Sequence, residues 1–580
     1  ITLSKDIITF VRSQLPFFRK FFHLLMEEEL PNEFDVVVVG TGFSESIVAA
    51  AASRIGKSVL HIDPNDFYGG AWASFNLEAL GKFINFSKEN ATDVSENMQV
   101  LENSCKLKNP TENWYAPNKP EEETEENDWT KEKMMKEFRK FNIDLSPRVM
   151  FGKGKLIELL ITSNICRYLE FRAVDKILTL RNGELKIVPC SRTDVFNTKE
   201  LNVVEKRMLM KLLTKCVVYE DSEDTGELEG STFLEYLKTT SLSEHVIHCV
   251  LYAISMSNDD TPRKEGFLRT KKFLESLGKY GNTPFLFPLY GCGDIPQCFC
   301  RLCAVFGGVY CLKKPVDDIV IEEVDGEKKA TKVKCGGREI STKFLVLGHG
   351  NIPKGLIKDA PAPVKDEEQC GGLARAVFIT STPIGDKEMN SGNYGINILR
   401  LPGKEASQGA IFLQVAGFCG VGPRSLYLIH ITTNSITDNP EIDLKPFVEQ
   451  IFNKDDSPTV LYSAYFTIPK CMKCEMGLKD PLPKNIFTAC GPFFEPGYDM
   501  TVTNAREIFD KMCPGEEFLP RAPDPEEVVF GDEDPVAVPG EEAVEDDVAL
   551  EEQIKELEEG FENQLRCMAE NTKNEENEVE

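Results

Sequence analysis

The chain has 580 residues, of which 41% are hydrophobic, so it can bury a large core and is expected to divide into at least two domains. Its 94 acidic residues outnumber the 66 basic ones, which gives a formal net charge of −28 and a pI of about 4.9. A field of that sign repels nucleic acid and anionic membranes and attracts basic partners, so nucleic-acid binding is not expected.

The first 25 residues are basic and aromatic and stand before Met26. They have the character of an amphipathic targeting helix, but we favour the interpretation that Met26 is the true start and that residues 1–25 are a non-native leader or extension. No stretch of the sequence approaches the length of a membrane span, and the C-terminal residues form no prenylation motif.

The segment Phe34–Asp63, FDVVVVGTGFSESIVAAAASRIGKSVLHID, predicts a strand, a tight turn, a helix and a second strand. Gly40 and Gly42 occupy the first two positions of the dinucleotide-binding pattern G-x-G-x-x-G, and Asp63 follows at about the distance expected for a ribose contact. Glu45 stands where the third glycine is expected. We therefore predict that residues 26–76 begin a Rossmann-like α/β domain whose nucleotide site is degenerate.

The replacement by Glu45 predicts a site closed by its own side chain. A carboxylate in the first turn of a helix is stabilised by about 0.3–1 kcal/mol and can satisfy the amides that a phosphate would use. A phosphate 4 Å away would be repelled by about 4 kcal/mol at an effective dielectric constant of 20. A rotamer that turns the carboxylate away would relieve this repulsion, and the sequence does not decide between the two.

The middle of the chain changes character three times. Residues 77–137 are acidic, rich in Asn and without periodicity, and are predicted to be a largely disordered insert. Residues 138–198 return to the α/β domain, with apolar spacing that suits a helix up to about residue 171 and an Arg-Asn-Gly hairpin after it. Residues 199–279 contain three or more amphipathic helices and predict a separate helical domain.

The third segment of the α/β domain is predicted at 280–520. Its late stretch NIFTACGPFFEPG resembles the flavoprotein strand that is followed by Gly-Asp, where the acid reaches the flavin ribityl chain. Gly491 is present, but Pro492 replaces the acid and offers neither a carboxylate nor an N–H. These two departures outweigh the retained glycines, and we expect no cofactor. Residues 521–580 form an acidic, Pro-rich tail in which the apolar spacing at 550–568 indicates a marginal amphipathic helix or a docking helix.

The 18 cysteines do not form a pattern typical of disulfides or zinc sites. Cys300 and Cys303 lie in the apolar run CFCRLCAVF, where buried reduced thiols are expected. Cys471 and Cys474 form one pair without a second pair or a nearby His. We therefore predict a reducing compartment, no metal site and no catalytic constellation built on Cys, His or Ser.

The chain resembles the Rab escort proteins, which form component A of Rab geranylgeranyl transferase within the superfamily of Rab GDP dissociation inhibitors. The resemblance covers about residues 33–76 and 138–520 and rests on several stretches, FDVVVVGTGFSES, VLHIDPNDFYGGAWASF, RYLEF, VPCSRTDVFNTKEL and YGNTPFLFPLYGCGDIPQCFCRLCAVFGGVYCL. It implies a flavoprotein-like, multi-sheet α/β fold of the GDP-dissociation-inhibitor type with an inserted all-helical domain and no flavin. A Glu at the third glycine position is itself a feature of that superfamily.

The resemblance also assigns surface residues. It places Tyr68 in DFYGG, Asp294 in GCGDIPQ and Arg301 in CFCRL on a Rab-binding platform, which Val309 and Cys311 flank. Relatives often have Glu where Asp294 stands, and the shorter side chain reaches less far. Without the resemblance, Tyr68 would be interpreted as packing beneath the glycine turn that follows it, and Asp294 as a structural partner of Arg301.

The resemblance further implies a contact with the transferase through an aromatic and a basic residue of the helical domain, for which Phe267, Phe273 and Lys279 are candidates. The expected function is that of a non-catalytic, cytosolic escort. It binds GDP-bound Rab, presents it to the α/β transferase heterodimer, shelters the geranylgeranyl chains in the helical domain and visits membranes transiently to deliver the product. A Rab GDP dissociation inhibitor is the first alternative, and an FAD-dependent oxidoreductase is the second.

Overall fold

The structure is a computed structural model that describes residues 31–89, 107–118, 129–190, 194, 201–219, 230–348, 350–351, 372–386, 389–391, 395–403, 409–437, 439–453, 457–469 and 482–521. All of these residues lie within the compact unit Ile1–Ala522. The expected C-terminal helix at 550–568, the pair Cys471 and Cys474, and residues 1–25 lie outside the described residues.

The strands of the described residues form four sheets and are, in chain order, β1 (Glu33–Val39), β2 (Val59–Asp63), β3 (Ser74–Phe75), β4 (Lys108–Trp114), β5 (Ile143–Asp144), β6 (Met150–Phe151), β7 (Phe171–Ala173), β8 (Lys176–Arg181), β9 (Glu184–Ile187), β10 (Phe285–Pro288), β11 (Val309–Leu312), β12 (Asp318–Val324), β13 (Glu327–Cys335), β14 (Arg338–Leu347), β15 (Leu373–Thr380), β16 (Asn397–Leu401), β17 (Ala410–Ala416), β18 (Tyr427–Asn434), β19 (Val460–Ile468) and β20 (Ile486–Thr488).

The α-helices of the same residues are α1 (Phe43–Arg54), α2 (Leu77–Glu89), α3 (Lys131–Lys136), α4 (Lys155–Thr162), α5 (Val203–Val218), α6 (Phe233–Thr239), α7 (Glu244–His248), α8 (Arg263–Ser276), α9 (Asp294–Val305), α10 (Pro440–Phe452) and α11 (Asp499–Met512). A π-helical turn, Cys249–Ile254, continues α7.

The first sheet has seven strands in the order β11-β2-β1-β14-β13-β12, and β20 also pairs with β14. The strands around β1 run parallel, whereas β12, β13 and β14 form an antiparallel meander. β1 is buried on both faces, because Val36 and Val38 join the core under α1 while Val37 and Val39 join a second core on the opposite face. The predicted strand–helix–strand start of the α/β domain is confirmed.

The second sheet has eight strands in the order β4-β19-β15-β18-β17-β16-β8-β9, and α10 covers one of its faces. The predicted hairpin is confirmed by β8 and β9, which pair antiparallel across Asn182 and Gly183. Both turn residues have positive φ, at 51° and 80°, as the favoured two-residue hairpin turn requires. The remaining sheets are small, with the orders β6-β10-β7 and β3-β5.

Two expectations about the middle of the chain are wrong. The stretch 77–137, predicted to be largely disordered, contains α2, α3 and β4, because its apolar residues lie at helical spacing in 77–84 and its strand 108–114 pairs with β19. The helix expected between residues 140 and 171 is limited to α4. Pro147 cannot continue a helix, and β5 and β6 occupy the residues before α4.

The helical run predicted at 199–279 is present as α5 to α8, with α5 and α6 packed on α8. α5 and α6 both begin with complete capping boxes, built by Asn202 with Glu205 and by Thr232 with Glu235. The helical part is tied to the α/β body by the ion pair of Lys272 with Asp499 at the start of α11. This fixes its position beside the segments that build the site.

Candidate functional site

The turn after β1 is held by hydrogen bonds that leave little freedom. Gly40 adopts a φ of 99°, which favours glycine, and its N–H donates to the carbonyl of Ile62 at 2.7 Å. His61 is fully buried and donates from Nε2 to the carbonyl of Gly40 at 2.5 Å. Burial lowers the pKa of this imidazole to about 4, so it remains neutral near pH 7.

The side chain of Glu45 lies inside the turn where a dinucleotide would place its phosphates. Glu45 is in the first turn of α1 and only 3% exposed. Both of its carboxylate oxygens are 2.6 Å from the position that a Cβ on Gly42 would take, and its Oε1 is 2.2 Å from the corresponding position on Gly348. The carboxylate therefore lies directly against the backbones of two glycines. The Glu45 side chain adopts the inward rotamer, which fills the phosphate position, and not the rotamer that turns away from it.

Asp63 is at the expected position but already has protein partners. Its Oδ2 accepts hydrogen bonds from the N–H and the hydroxyl of Thr41 at 2.7 and 2.6 Å. Its Oδ1 accepts from the N–H and the side-chain amide of Asn65 at 2.8 and 2.9 Å. Burial raises the pKa of Asp63, and these four hydrogen bonds oppose that rise. A ribose hydroxyl would have to displace one of them.

A dinucleotide does not fit the residues that line this crevice. The cavity bounded by Glu45, Asp63, Trp72 and Gly491 has a volume of about 20 Å³, which is room for about one water molecule. Gly491 follows β20, which pairs in parallel with β14. Pro492 is buried beside it and supplies no acid. The residues at this position therefore do not fit a bound flavin nucleotide.

Asp294 and Arg301 lie on one side of α9, two turns apart. Asp294 is in the first turn and half-buried, and burial raises its pKa while Arg301 opposes the rise. Arg301 is exposed, and its guanidinium carbon lies 5.9 Å above the ring of Tyr168. Within the described residues Arg301 and Asp294 form no ion pair, and Arg301 acts on Asp294 only as a nearby charge that lowers its pKa.

Tyr68, Val309 and Cys311 lie around the edge strand β11. The half-buried ring of Tyr68 is 6.1 Å from the ring of Tyr310, which in turn is 4.8 Å from His61. Val309 and Cys311 alternate with Tyr310 and pack against the core on the opposite face of the sheet. The five residues predicted for the platform therefore form two groups, one on α9 and one around β11.

Three exposed aromatic residues beside α9 were not predicted. Tyr168, Tyr290 and Phe418 are 57%, 54% and 59% exposed. The N–H of Tyr290 donates to the carbonyl of Cys419 at 2.9 Å, which places Tyr290 next to Phe418. Tyr290 also has a φ of 66°, a left-handed conformation that bulky residues rarely adopt and that is found preferentially at functional sites. The sequence signal that could have found this surface is the tyrosine directly before GCGD.

The start of α9 is held by a buried carboxylate that sequence reasoning also missed. Oδ1 of Asp144 accepts a hydrogen bond from the N–H of Cys292 at 2.8 Å and another from the hydroxyl of Ser74. The same hydroxyl accepts from the N–H of Gly293 at 2.8 Å. Burial raises the pKa of Asp144 to about 6. This network fixes the loop from which Asp294 begins the helix.

Two of the three residues considered for a transferase contact lie inside the helical part. Phe267 and Phe273 are 1% and 2% exposed, because they are the core-facing residues of α8. Their side chains are therefore not available to a partner in this conformation, and this corrects the sequence-based choice. Lys279 is exposed directly after α8.

An open cavity lies between α4, β7 and the segment 280–286. It has a volume of about 680 Å³ and is open to solvent, and its lining is mixed, with apolar residues such as Ile157, Phe171 and Leu286 beside the charged Arg172 and Asp175. Tyr168, under Arg301, follows the last residue of α4 by only six positions. The cavity therefore adjoins the surface of α9 on one side and the end of α8 on the other.

Cys300 and Cys303 are buried free thiols, as predicted. Among the described residues, no group of three His, Cys, Asp or Glu side chains could hold a metal ion. In the same part of the chain, none of the helices combines the length and the apolar character needed to cross a bilayer.

Comparison with known proteins gives a consistent result. A family model described as GDP dissociation inhibitor matches residues 26–100 and 116–513. The chain is 44% identical over 518 residues to Rab proteins geranylgeranyltransferase component A of Drosophila melanogaster, covering 88% of this chain and 95% of that protein. It is 32% identical to the human component A 1, covering 87% and 94%. The crystal structure of Rab GDI from Plasmodium falciparum matches with a TM-score of 0.58 at 21% identity, over 83% of this chain and 99% of that one, which shows a shared fold.

Proposed function

The chain belongs to the GDP dissociation inhibitor family, and we propose that it is an escort protein, which binds unprenylated, GDP-bound Rab GTPases and presents them to the Rab geranylgeranyl transferase. In this role it is a non-catalytic accessory component that acts in the cytosol and delivers the prenylated Rab to membranes. The names of the relatives support the escort branch over the dissociation inhibitors, because both relatives compared above are component A of the transferase.

The observation that carries the proposal is the position of the Glu45 carboxylate between Gly42 and Gly348. A dinucleotide-binding fold whose phosphate position is filled by its own side chain has no space for the nucleotide. We infer that such a fold serves to bind another protein. This observation disfavours the flavin-dependent oxidoreductase, which would need that space. Binding is then assigned to the exposed surface of α9 and its neighbours.

We assign the Rab contact to Arg301, Asp294 and the exposed aromatic residues Tyr168 and Tyr290, together with Tyr68 and the edge strand β11. Tyrosine and arginine side chains dominate protein interfaces because they bury a large area and also form hydrogen bonds. The exposed aromatic residues supply apolar contact area for the bound protein. The charged residues Asp294 and Arg301 among them fix its orientation. Asp144 and Ser74 hold α9 in place for this contact.

The cavity of about 680 Å³, whose lining combines apolar side chains with Arg172 and Asp175, is proposed to accept the C-terminal segment of the bound Rab. Its position between the surface of α9 and the end of α8 leads from the proposed Rab contact towards the helical part. Each CH₂ of the two geranylgeranyl chains that stays in water costs about 0.8 kcal/mol of transfer free energy. The prenylated product therefore needs an apolar binding site close to this path. The helical part remains the proposed shelter, since its interior is apolar.

Reconstituted prenylation tests the proposal. Purified chain, unmodified Rab-GDP, the transferase heterodimer and geranylgeranyl diphosphate are combined, and isoprenoid transfer to Rab is measured. An escort supports transfer, whereas a dissociation inhibitor binds prenylated Rab but does not support transfer. Absence of transfer together with extraction of prenylated Rab from membranes would favour the inhibitor, and bound flavin absorbance would favour the oxidoreductase.

A further inference from the structure

The outward face of α5 differs in charge from the rest of the molecule. The chain carries a net charge of −28, yet α5 contains four basic residues, Lys206, Arg207, Lys211 and Lys215, against the single acid Glu205. Glu205 is engaged in the capping box at the start of the helix. The helix is therefore a local positive region on an acidic protein.

Five of the exposed residues of α5 lie along one stripe. Val204, Arg207, Lys211, Lys215 and Val218 follow one another at intervals of three or four positions, which places them on the same side of an α-helix. Val204 and Val218 are 66% and 70% exposed. The buried residues of the helix face the opposite direction, towards α8. The outer face of α5, defined by these five residues, thus combines three basic side chains with an aliphatic residue at each end.

Within the part of the chain that the structure describes, the three basic side chains of this stripe have no ion-pair partner, unlike basic residues elsewhere. Lysines of β13 form ion pairs with acids of the neighbouring strands, such as Lys332 with Glu339 of β14 at 2.9 Å and Lys334 with Asp318 of β12 at 3.4 Å. Within the described residues Arg207 and Lys211 form no ion pair. Lys215 donates only to the neutral hydroxyl of Tyr236, at 3.3 Å.

We propose that the outer face of α5 docks on anionic lipid bilayers. This inference rests on the proposed function, in which a prenylated cargo is handed to a membrane. The overall negative field repels an anionic bilayer, but at physiological salt it is screened beyond about 8 Å, so the local charge of the contacting face decides the interaction. Basic side chains attract the acidic headgroups, and the exposed valines contact the apolar boundary beneath them. The alternative binding partner is an acidic protein surface. Such a surface would pair with the basic side chains, but it would not account for the aliphatic residues that are exposed at both ends of the stripe.

The test measures co-sedimentation of the full chain with vesicles of phosphatidylcholine containing about 30% phosphatidylserine, and with vesicles of phosphatidylcholine alone. The full chain is used so that any competition from its own acidic residues is included. The wild type is expected to bind the anionic vesicles, to bind neutral vesicles weakly, and to lose binding as salt is raised. The variant R207E/K211E is expected to weaken binding to anionic vesicles by about tenfold or more.

A matched control separates the local face from the total charge. The variant K82E/K136E changes the net charge by the same amount at two lysines that are 73% and 74% exposed on α2 and α3. It is expected to bind vesicles nearly as the wild type does. Equal loss in both double variants, or no preference of the wild type for anionic vesicles, overturns the proposal. V204S/V218S is expected to weaken binding without removing its salt dependence.

The same variants are assayed in prenylation without vesicles. R207E/K211E is expected to support transfer as the wild type does, because the outer face of α5 is separate from the surface of α9. Loss of transfer with unchanged vesicle binding would assign this face to an acidic protein partner and overturn the lipid proposal. A wild type that binds anionic vesicles but fails in prenylation would instead refute the escort function and leave the lipid surface established.

Discussion

Both carboxylate oxygens of Glu45 lie 2.6 Å from the position that a Cβ on Gly42 would occupy. Only a glycine backbone allows so close an approach, so the glycine that would admit a pyrophosphate here admits a side chain of the protein itself. The remaining cavity of about 20 Å³ is too small for a nucleotide. The retained glycines of the turn therefore do not indicate a retained cofactor.

Replacing Glu45 by Gly is expected to create measurable affinity for ADP, because it removes both the volume and a like charge whose repulsion amounts to about 4 kcal/mol at 4 Å. Glu45→Gln keeps the volume and removes only the charge, and it is expected to bind ADP no better than the wild type. Isothermal titration calorimetry with ADP measures the difference. Equal binding by wild type and Glu45→Gly would show that Glu45 does not close the site.

Arg301→Ala is expected to weaken Rab-GDP binding by on the order of 2 kcal/mol while leaving the melting temperature nearly unchanged. The side chain is exposed and lies over the ring of Tyr168, so its loss is expected to remove little from the fold. Arg506→Ala is the matched control, since Arg506 is also exposed and lies over an aromatic ring, that of Phe518. A lower melting temperature with unchanged affinity of the folded fraction would assign Arg301 to structure.

Phe273→Ala is expected to lower the free energy of unfolding by about 3–5 kcal/mol, because the ring is 2% exposed and its loss leaves a cavity in the helical part. Lys279→Ala is expected to leave stability within about 0.5 kcal/mol of the wild type, since the side chain is exposed. Chemical denaturation measures both. If Phe273→Ala were as stable as the wild type and still lost transferase binding, the ring would have to reach the surface in the complex.

The buried carboxyl of Glu495 predicts a pH dependence of stability. Burial raises its pKa from 4.5 to about 7, although Nη1 of Arg148 lies 3.5 Å from Oε1. Between these pH values the folded state binds more protons than the unfolded state, so the contribution of Glu495 to the free energy of unfolding falls as pH rises. Glu495→Gln is therefore expected to gain stability relative to the wild type from pH 4.5 to 7. Denaturation across this range measures the difference, and a constant difference would contradict the shift.

The start of the fold could be predicted because its determinants are local. The apolar run before Gly40, the small residues of α1 and the acid at Asp63 each specify structure through their neighbours in the chain. The hairpin at Asn182 and Gly183 is a further case, since two residues that tolerate positive φ select the turn. The predictions for 77–137 failed because β4 becomes a strand only by pairing with β19, which follows more than 300 residues later.

The features of the candidate site also fall into those that the sequence could predict and those that it could not. The sequence by itself determined that Glu45 replaces a glycine, that Pro492 replaces an acid, and that the motifs around Tyr68 and Arg301 belong to one family. Only the tertiary structure decided that the carboxylate turns inward, that Phe267 and Phe273 are core, and that Tyr168, Tyr290 and Phe418 surround α9. The physical reason is that the chemical type of a residue is written in the chain, whereas its exposure and its contacts depend on segments that are distant in sequence and meet only on folding.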